Sequence, residues 1–310
     1  MFTERVVETG KGKLHLRRET LTGLSCRISS ERSKRGIDRA CSLEFPTEGC
    51  PFCEANLAGA TPTFPDGKRI LVGESVTFPN LYPFAEWHTV TVISPDHSGS
   101  SLTERQLEDA FSGQLASLLG RDGYPSINWN FLPSAGASLA HPHLQGLVDS
   151  RPAPLAARYL AGSEEYLRKR ERTYWDDLRR AERDAGRILK EGRIFWHAQA
   201  VPLGEKEIRG VLPVSHLPGL RPLIPDLARD LLGFISFYRD LGTYAFNFAL
   251  FFDREGCNGG FSAFCSLIAR INPNPSSMSD SAFMERLHLE PVILTLPENL
   301  ARMFREWKER

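Results

Sequence analysis

The sequence carries no excess of charge of either sign: 38 Lys and Arg balance 38 Asp and Glu among 310 residues. It therefore lacks the basic surplus of a nucleic-acid binder and the acidic surplus of a disordered tail, so no nucleic-acid partner is expected. Long apolar runs are missing too. The stretch Ala245 to Phe252 is among the longest, and it falls far short of the roughly 18 residues needed to cross a bilayer, so no membrane partner is expected. Residues 1–13 are polar and mixed in charge, without the apolar segment of a secretory leader, which makes the cytoplasm the expected location. Cysteine is sparse: six residues, at 26, 41, 50, 53, 257 and 265, too few for a disulfide scaffold.

What is present reads as a globular chain, with 41% apolar and 25% charged residues. Apolar periodicity predicts helices over Leu102 to Leu119, Ser163 to Glu191, Pro225 to Leu241 and Pro297 to Lys308. The first begins at Thr103 with Gln106 three residues on, a capping box. Strands are predicted at Ser75–Phe78, His88–Ile93, Ser126–Phe131, Gly192–Val201, Ile208–Pro213, Ala245–Phe252 and Ser262–Ile271. Two segments share a plan. Thr91-Val-Ile-Ser-Pro-Asp-His97 precedes a helix and then Ser126-Ile-Asn128, while Gly210-Val-Leu-Pro-Val-Ser-His216 precedes a helix and then Ala245-Phe-Asn247. His97 to His216 and Asn128 to Asn247 are both 119 residues apart, the mark of a duplicated strand–helix–strand unit. The next strand of the first copy carries His141-Pro-His143-Leu-Gln145, whereas Phe264 to Arg270 in the second holds no histidine.

In an extended backbone residues two apart point to the same face, so His141 and His143 meet at one site. They suit a metal pair, or one ligand beside one nucleophile or base, or two ordinary half-buried imidazoles. Cys50-Pro-Phe-Cys53 supplies half of a tetrahedral zinc site, or a turn with two packed thiols; His97 and His141 are the histidines available to complete it. The segment Asn130-Phe-Leu-Pro-Ser-Ala-Gly136-Ala-Ser138 has small residues that let backbone amides approach an anion, and a hydroxyl to donate to it. Arg32-Ser-Lys-Arg35 is a basic cluster of the kind that is solvated or grips phosphate.

Taken together these residues resemble the galactose-1-phosphate uridylyltransferase family of the histidine-triad superfamily, over almost the whole chain. The resemblance rests on Leu16 to Gly23 with Ser30 to Arg35, then Cys50-Pro-Phe-Cys53, Pro79-Asn80-Leu-Tyr-Pro83, Ser94-Pro-Asp-His97, His141-Pro-His143-Leu-Gln145 and Pro297-Glu298, in family order. It implies an α+β fold of two tandem histidine-triad-like halves, residues 1–160 and a degenerate 161–310, with antiparallel sheet flanked by helices. It implies that Cys50, Cys53, His97 and His141 bind a structural Zn2+. His143 matches the nucleophile that forms a nucleotidyl-histidine, and Gln145 the residue that hydrogen-bonds the phosphoryl oxygen. Asn80, Asn130, Gly136 and Ser138 match positions on the nucleotide and phosphate, and Arg32 and Arg35 match arginines that reach a neighbouring subunit's site in a homodimer.

The implied activity is nucleotidyl transfer from a nucleotide-sugar to a phosphorylated acceptor, as in galactose metabolism. Several positions depart from the family pattern. Leu81 stands where galactose-type members carry an acid, and Asn-Leu-Tyr-Pro is more similar to members that transfer adenylyl groups, including ADP-glucose phosphorylases. Tyr159, Ile268 and Arg270 stand where some members ligate a second, iron-type metal, and His288 where the family has a hexose-contacting glutamate. Two other readings remain: an adenylyl-transferring phosphorylase of an ADP-sugar or dinucleoside polyphosphate, and a zinc-stabilised nucleotide-binding protein without turnover.

Overall fold

The structure is a computed structural model that describes residues 1–10, 12–35, 48–97, 101–271 and 280–310; the side chains of residues 33–35 are outside it, as is Cys41. The chain opens with β1 (Phe2–Thr9), β2 (Gly12–Glu19) and β3 (Ser25–Ile28), then α1 (Glu54–Ala60). The first half continues with β4 (Ile70–Val72), β5 (Ser75–Pro79), β6 (Trp87–Val92), α2 (Glu104–Leu118), β7 (Tyr124–Phe131) and β8 (His143–Asp149). Two helices follow, α3 (Pro154–Arg170) and α4 (Tyr174–Asp184). The second half repeats the plan as β9 (Ile188–Lys190), β10 (Phe195–Ala198), β11 (Ile208–Val211), α5 (Ile224–Asp240), β12 (Ala245–Phe251) and β13 (Phe264–Arg270). The chain closes with β14 (Val292–Ile293) and α6 (Pro297–Lys308).

The expected α+β class holds. Ten strands form one antiparallel sheet in the order β4-β5-β6-β8-β7-β12-β13-β11-β10-β9, which reads the same way outward from its centre in both halves. At the centre Asn130 pairs with Asn247 and Asn128 with Ala249; a shift of 119 residues turns one pair into the other. The repeat seen in the sequence is thus a near twofold about the β7–β12 junction. The halves are not separate bodies, since they share this sheet, and α3 runs through residues 160 and 161. Val92 faces His143 across β6 and β8, whereas Val211 faces Phe264 in the equivalent place, so the second copy puts an apolar ring where the first has an imidazole.

Both central helices cover one face of the sheet. The capping box is present: Gln106 N–H donates to Thr103 Oγ1 and Thr103 N–H to Gln106 Oε1. Leu107, Phe111, Leu115 and Leu118 of α2 join Leu227, Leu231, Phe234 and Tyr238 of α5 in the main core, with Leu144 and Val148 of β8 against them. Because side chains alternate along a strand, His143 and Gln145 point to the opposite face. Over the second half that face is closed by a ring cluster of Tyr159, Tyr174, Trp175, Phe195, Phe251 and Phe264. Over the first half that face carries a smaller cluster, Phe78, Val90 and Val92 under Phe52 and Leu57, with a cavity beside it.

One prediction from periodicity is corrected, and one set of strands escaped it. The run 163–191 is not one helix. Glu171 takes a left-handed φ of 55° after α3, Thr173 caps α4, and Gly186 with φ 67° releases the chain into β9. Charged residues hid these breaks, because a polar pattern continues through them. The N-terminal strands β1–β3 and the parallel β3–β14 pair carried no apolar alternation strong enough to find; six of the eight residues of β1 are exposed.

Candidate active site

The metal ligands expected from sequence converge. Cys50, Cys53, His97 and His141 each offer a ligand atom, and these atoms all lie within 4.8 Å of one another. Cys53 Sγ is 3.4 Å from His97 Nδ1 and 3.8 Å from His141 Nδ1, and Cys50 Sγ is also 3.8 Å from His141 Nδ1. Ligands at about 2.3 Å (sulfur) and 2.0–2.1 Å (nitrogen) on a tetrahedral ion would stand about 3.5–3.8 Å apart, so the four fit a divalent cation of the zinc type. The orientation fits as well. His141 Nε2–H donates to the Ser94 carbonyl at 2.9 Å, which turns Nδ1 toward the thiols. Burial pushes the Cys53 thiol up and His141 down from their ordinary values; a bound cation would favour the thiolate and the neutral ring. Among the described residues no other group of three or more such side chains comes together in this way.

Beside this cluster lies a cavity of about 480 Å³. Asn80, Asn130, Gly136, Ser138, His143 and Gln145, all candidates from sequence, line it. His143 is buried and donates from Nδ1–H to the carbonyl of His141, two residues before it, at 2.8 Å, leaving Nε2 as the nitrogen with a free lone pair. Burial lowers its pKa, so the ring is neutral at pH 7. Asn130 accepts from Asn247 Nδ2 at 2.7 Å, which leaves its own NH2 group for a ligand. Asn247 belongs to the second half, which therefore helps to set the site.

One expectation changes. The amides of Ala135 and Ala137 donate to Leu132 O at 3.0 and 3.3 Å, and that of Gly136 to Pro133 O at 2.9 Å, so these three are spent inside the loop. The loop is instead a rigid mount, entered through Leu132 with a positive φ of 73° and left through Gly136 at 89°. The Ser138 hydroxyl and the side-chain amides of Asn130 and Gln145 line the cavity as further donors. Arg32 lies exposed in the short 3-10 segment Ser30–Arg35 and does not line the cavity of its own chain; the Arg35 side chain lies outside the described residues. Tyr159 is buried and donates to Glu19 at 2.8 Å, Arg270 pairs with Asp280 and Asn247, and His288 packs on Phe283.

No protein-family model matches the sequence. An uncharacterized protein of Archaeoglobus fulgidus is 24% identical over 272 residues, which cover 84% of this chain and 82% of that one. Among solved structures, an ADP-glucose phosphorylase from Arabidopsis thaliana with bound ADP-glucose superposes with a TM-score of 0.73 at 18% identity, covering 94% of this chain and 98% of that one. A uridylyltransferase superposes with a TM-score of 0.69 at 17% identity, covering 94% and 97%. The chain has their fold.

Sequence reasoning missed the apolar wall and a histidine behind it. Phe52, between the two cysteines, stands edge-on to the His143 ring with centroids 5.2 Å apart and to Phe78 at 5.7 Å. Leu81, Tyr82 and Phe84 stand exposed at the rim. Together they form a slot suited to a flat base. Its signal was the aromatic density around two motifs read only for their polar residues. The histidine, His88, sits beneath Gln145; the two lie 57 residues apart in sequence, and no spacing rule connects them.

Proposed function

We propose that the chain is a nucleotidyltransferase that moves a nucleoside monophosphate from a nucleotide-sugar to a phosphorylated acceptor through a covalent adduct on His143. The observation that carries this reading is the setting of that ring: Nδ1–H tied to a carbonyl and Nε2 left to a cavity lined by amide and hydroxyl donors. A binder without turnover has no use for a lone pair held at that spot. The shared fold with an ADP-glucose phosphorylase and a uridylyltransferase supports the same chemistry.

In the first step the lone pair of His143 Nε2 attacks the α-phosphorus of the donor. The N–P bond forms as the bond to the bridging oxygen breaks, and the sugar phosphate leaves with that electron pair. The ring keeps its Nδ1 proton against the His141 carbonyl and takes up the positive charge. In the second step an oxygen of the acceptor phosphate attacks the same phosphorus, and the N–P pair returns to Nε2. Splitting one displacement in two lowers each barrier, and Gln145, Asn130 and Ser138 stabilise charge on the non-bridging oxygens.

Cys50, Cys53, His97 and His141 would hold a structural zinc, which with four protein ligands supplies a cross-link from residues 50–53 to the strand bearing His143. Arg32 and Arg35 act on a partner's site in a homodimer, and residues 1–160 and 161–310 are the two histidine-triad-like halves of a cytoplasmic enzyme. Leu81 at the cavity rim, where galactose-type members carry an acid, favours a second reading with the same chemistry: adenylyl transfer from an ADP-sugar to inorganic phosphate. Incubation with UDP-glucose and ADP-glucose labelled in the α-phosphate decides. An acid-labile label on the wild type that is absent from His143→Ala is expected, and the base that labels faster names the nucleotide. No label from either donor would contradict the proposal.

A further inference from the structure

Gln145 can act on a phosphoryl oxygen only if its NH2 group, and not its carbonyl, faces the cavity. A glutamine amide is nearly symmetric in shape, so something must choose. His88 lies directly behind it, buried at 4% exposure, with Nε2 2.9 Å from Gln145 Oε1. The same nitrogen lies 3.0 Å from Asn80 Nδ2. The amide of Phe84 points at the other ring nitrogen, Nδ1, at 3.4 Å. Asn80 cannot be turned, because its Oδ1 accepts from Tyr82 N–H at 2.9 Å.

With Gln145 Oε1 against Nε2, these contacts select one tautomer of His88. Burial lowers the His88 pKa, so the ring carries one N–H proton. If the proton sat on Nδ1 it would face the Phe84 N–H, donor against donor, and the Nε2 lone pair would face the Gln145 carbonyl. With the proton on Nε2, Phe84 N–H donates to Nδ1 and Nε2–H donates to Gln145 Oε1. A single mismatch remains, between Nε2–H and the Asn80 NH2 group. Asn80 lines the cavity, so that NH2 group is open to a nucleotide.

We infer that His88 is a positioning residue that holds Gln145 with its NH2 group toward the phosphate and turns the Asn80 NH2 group over to the nucleoside. A nucleotide oxygen at the nucleoside end gives Asn80 the acceptor that His88 denies it. This rests on the role proposed above for Gln145. The exposed Phe84 ring, 4.3 Å from the His88 ring centroid, closes the imidazole off from water.

The test has two independent arms. Nitrogen-15 spectra of the ligand-free protein report the tautomer directly: Nε2 protonated and Nδ1 bare is expected, and a proton on Nδ1 would overturn the inference whatever the protein's substrate. The second arm is the single-turnover rate of His143 labelling. His88→Phe keeps the ring volume and loses the donor, and should slow labelling roughly 10- to 100-fold with donor affinity less affected. His88→Gln, whose amide reaches the Nε2 position, should recover most of that rate. In a Gln145→Ala background His88→Phe should cost little more, because it acts through Gln145. Losses that simply multiply, or a His88→Phe protein as fast as wild type, would overturn it. Failure of the wild type to label with any nucleotide-sugar would sink the proposed function instead, while the tautomer result stands.

Discussion

At the scale of single residues, the two histidines of the His141-Pro-His143 motif should behave differently although they lie two apart. His143→Ala should abolish labelling and turnover. His143→Gly with added imidazole should restore part of the transfer, with nucleotidyl-imidazole as product, because the vacated ring leaves a small cavity beside Phe52. His141→Ala should lower metal content and thermal stability first, and imidazole should help little. Cys50→Ser should likewise lose bound metal, measured by elemental analysis, and melt lower. The motif residues were legible in the sequence because their chemistry depends on local spacing: alternation puts both rings on one face, and two residues separate the thiols. His88 and the aromatic slot were not legible, because their meaning lies in contacts made across the sheet. The amides of Ala135, Gly136 and Ala137 looked open in sequence and are closed by their own turn.

At the scale of elements, the strand that presents His143 and Gln145 is braced from behind by α2. Gly146 sits at the closest approach: a Cβ there would lie 2.1 Å from Gln114 Oε1 and 2.9 Å from Thr89 Oγ1. Gln114 is fully buried and bonded to Thr89 and to the Leu144 carbonyl, so it has nowhere to retreat. Gly146→Ala should therefore destabilise by about 1–3 kcal/mol, read from urea midpoints, and slow labelling through displacement of Gln145. An unchanged midpoint would mean that helix and strand slide apart freely. Helices with an apolar stripe and a marked start, such as α2 with its capping box and α6 with Pro297 in its first turn, were legible from sequence to within two residues of their ends. The break between α3 and α4 was not, although Thr173 with Asp176 three residues on forms a cap that could have marked it.

At the scale of the whole molecule, a near twofold joins two copies of one unit, and only one carries a histidine where the other has Phe264. The other supplies support. Asn247 orients Asn130 across the junction, and Arg17 and Arg187 tie β2 and the start of β9 to Glu298 of α6. The second half also buries His197, whose pKa is lowered to about 3, chiefly by burial, although a Glu182 oxygen lies 3.7 Å away. Its folded pKa lies below its ordinary 6.5, so between those values the unfolded chain binds a proton that the folded chain refuses. Stability should fall on acidification from pH 6.5, by up to about 1.4 kcal/mol per pH unit for this group. Relative to His197→Phe, the wild type should lose more stability between pH 6.5 and 4.5; parallel curves would show that the ring is not held neutral. For the proposed dimer, mixing Arg35→Ala with His143→Ala should restore part of the activity, since one mixed site would be intact. Confirmed mixed dimers without recovery would place each site within a single chain. The duplication was legible as a common offset of 119 residues, whereas its joining into one ten-stranded sheet was set by the pairing of β7 with β12, which no local pattern encodes.

The measurement that bears most directly on the central claim is the position of the nucleotide on the protein during turnover. Wild-type protein and the donor that labels it are mixed, quenched in base within the first turnover, digested and mapped, with phosphorus–nitrogen coupling used to distinguish the two ring nitrogens. The account predicts one nucleoside monophosphate on the peptide carrying His143, bonded through Nε2, appearing before product and disappearing when acceptor is added. Full turnover with no adduct, or an adduct on any other side chain, would contradict it.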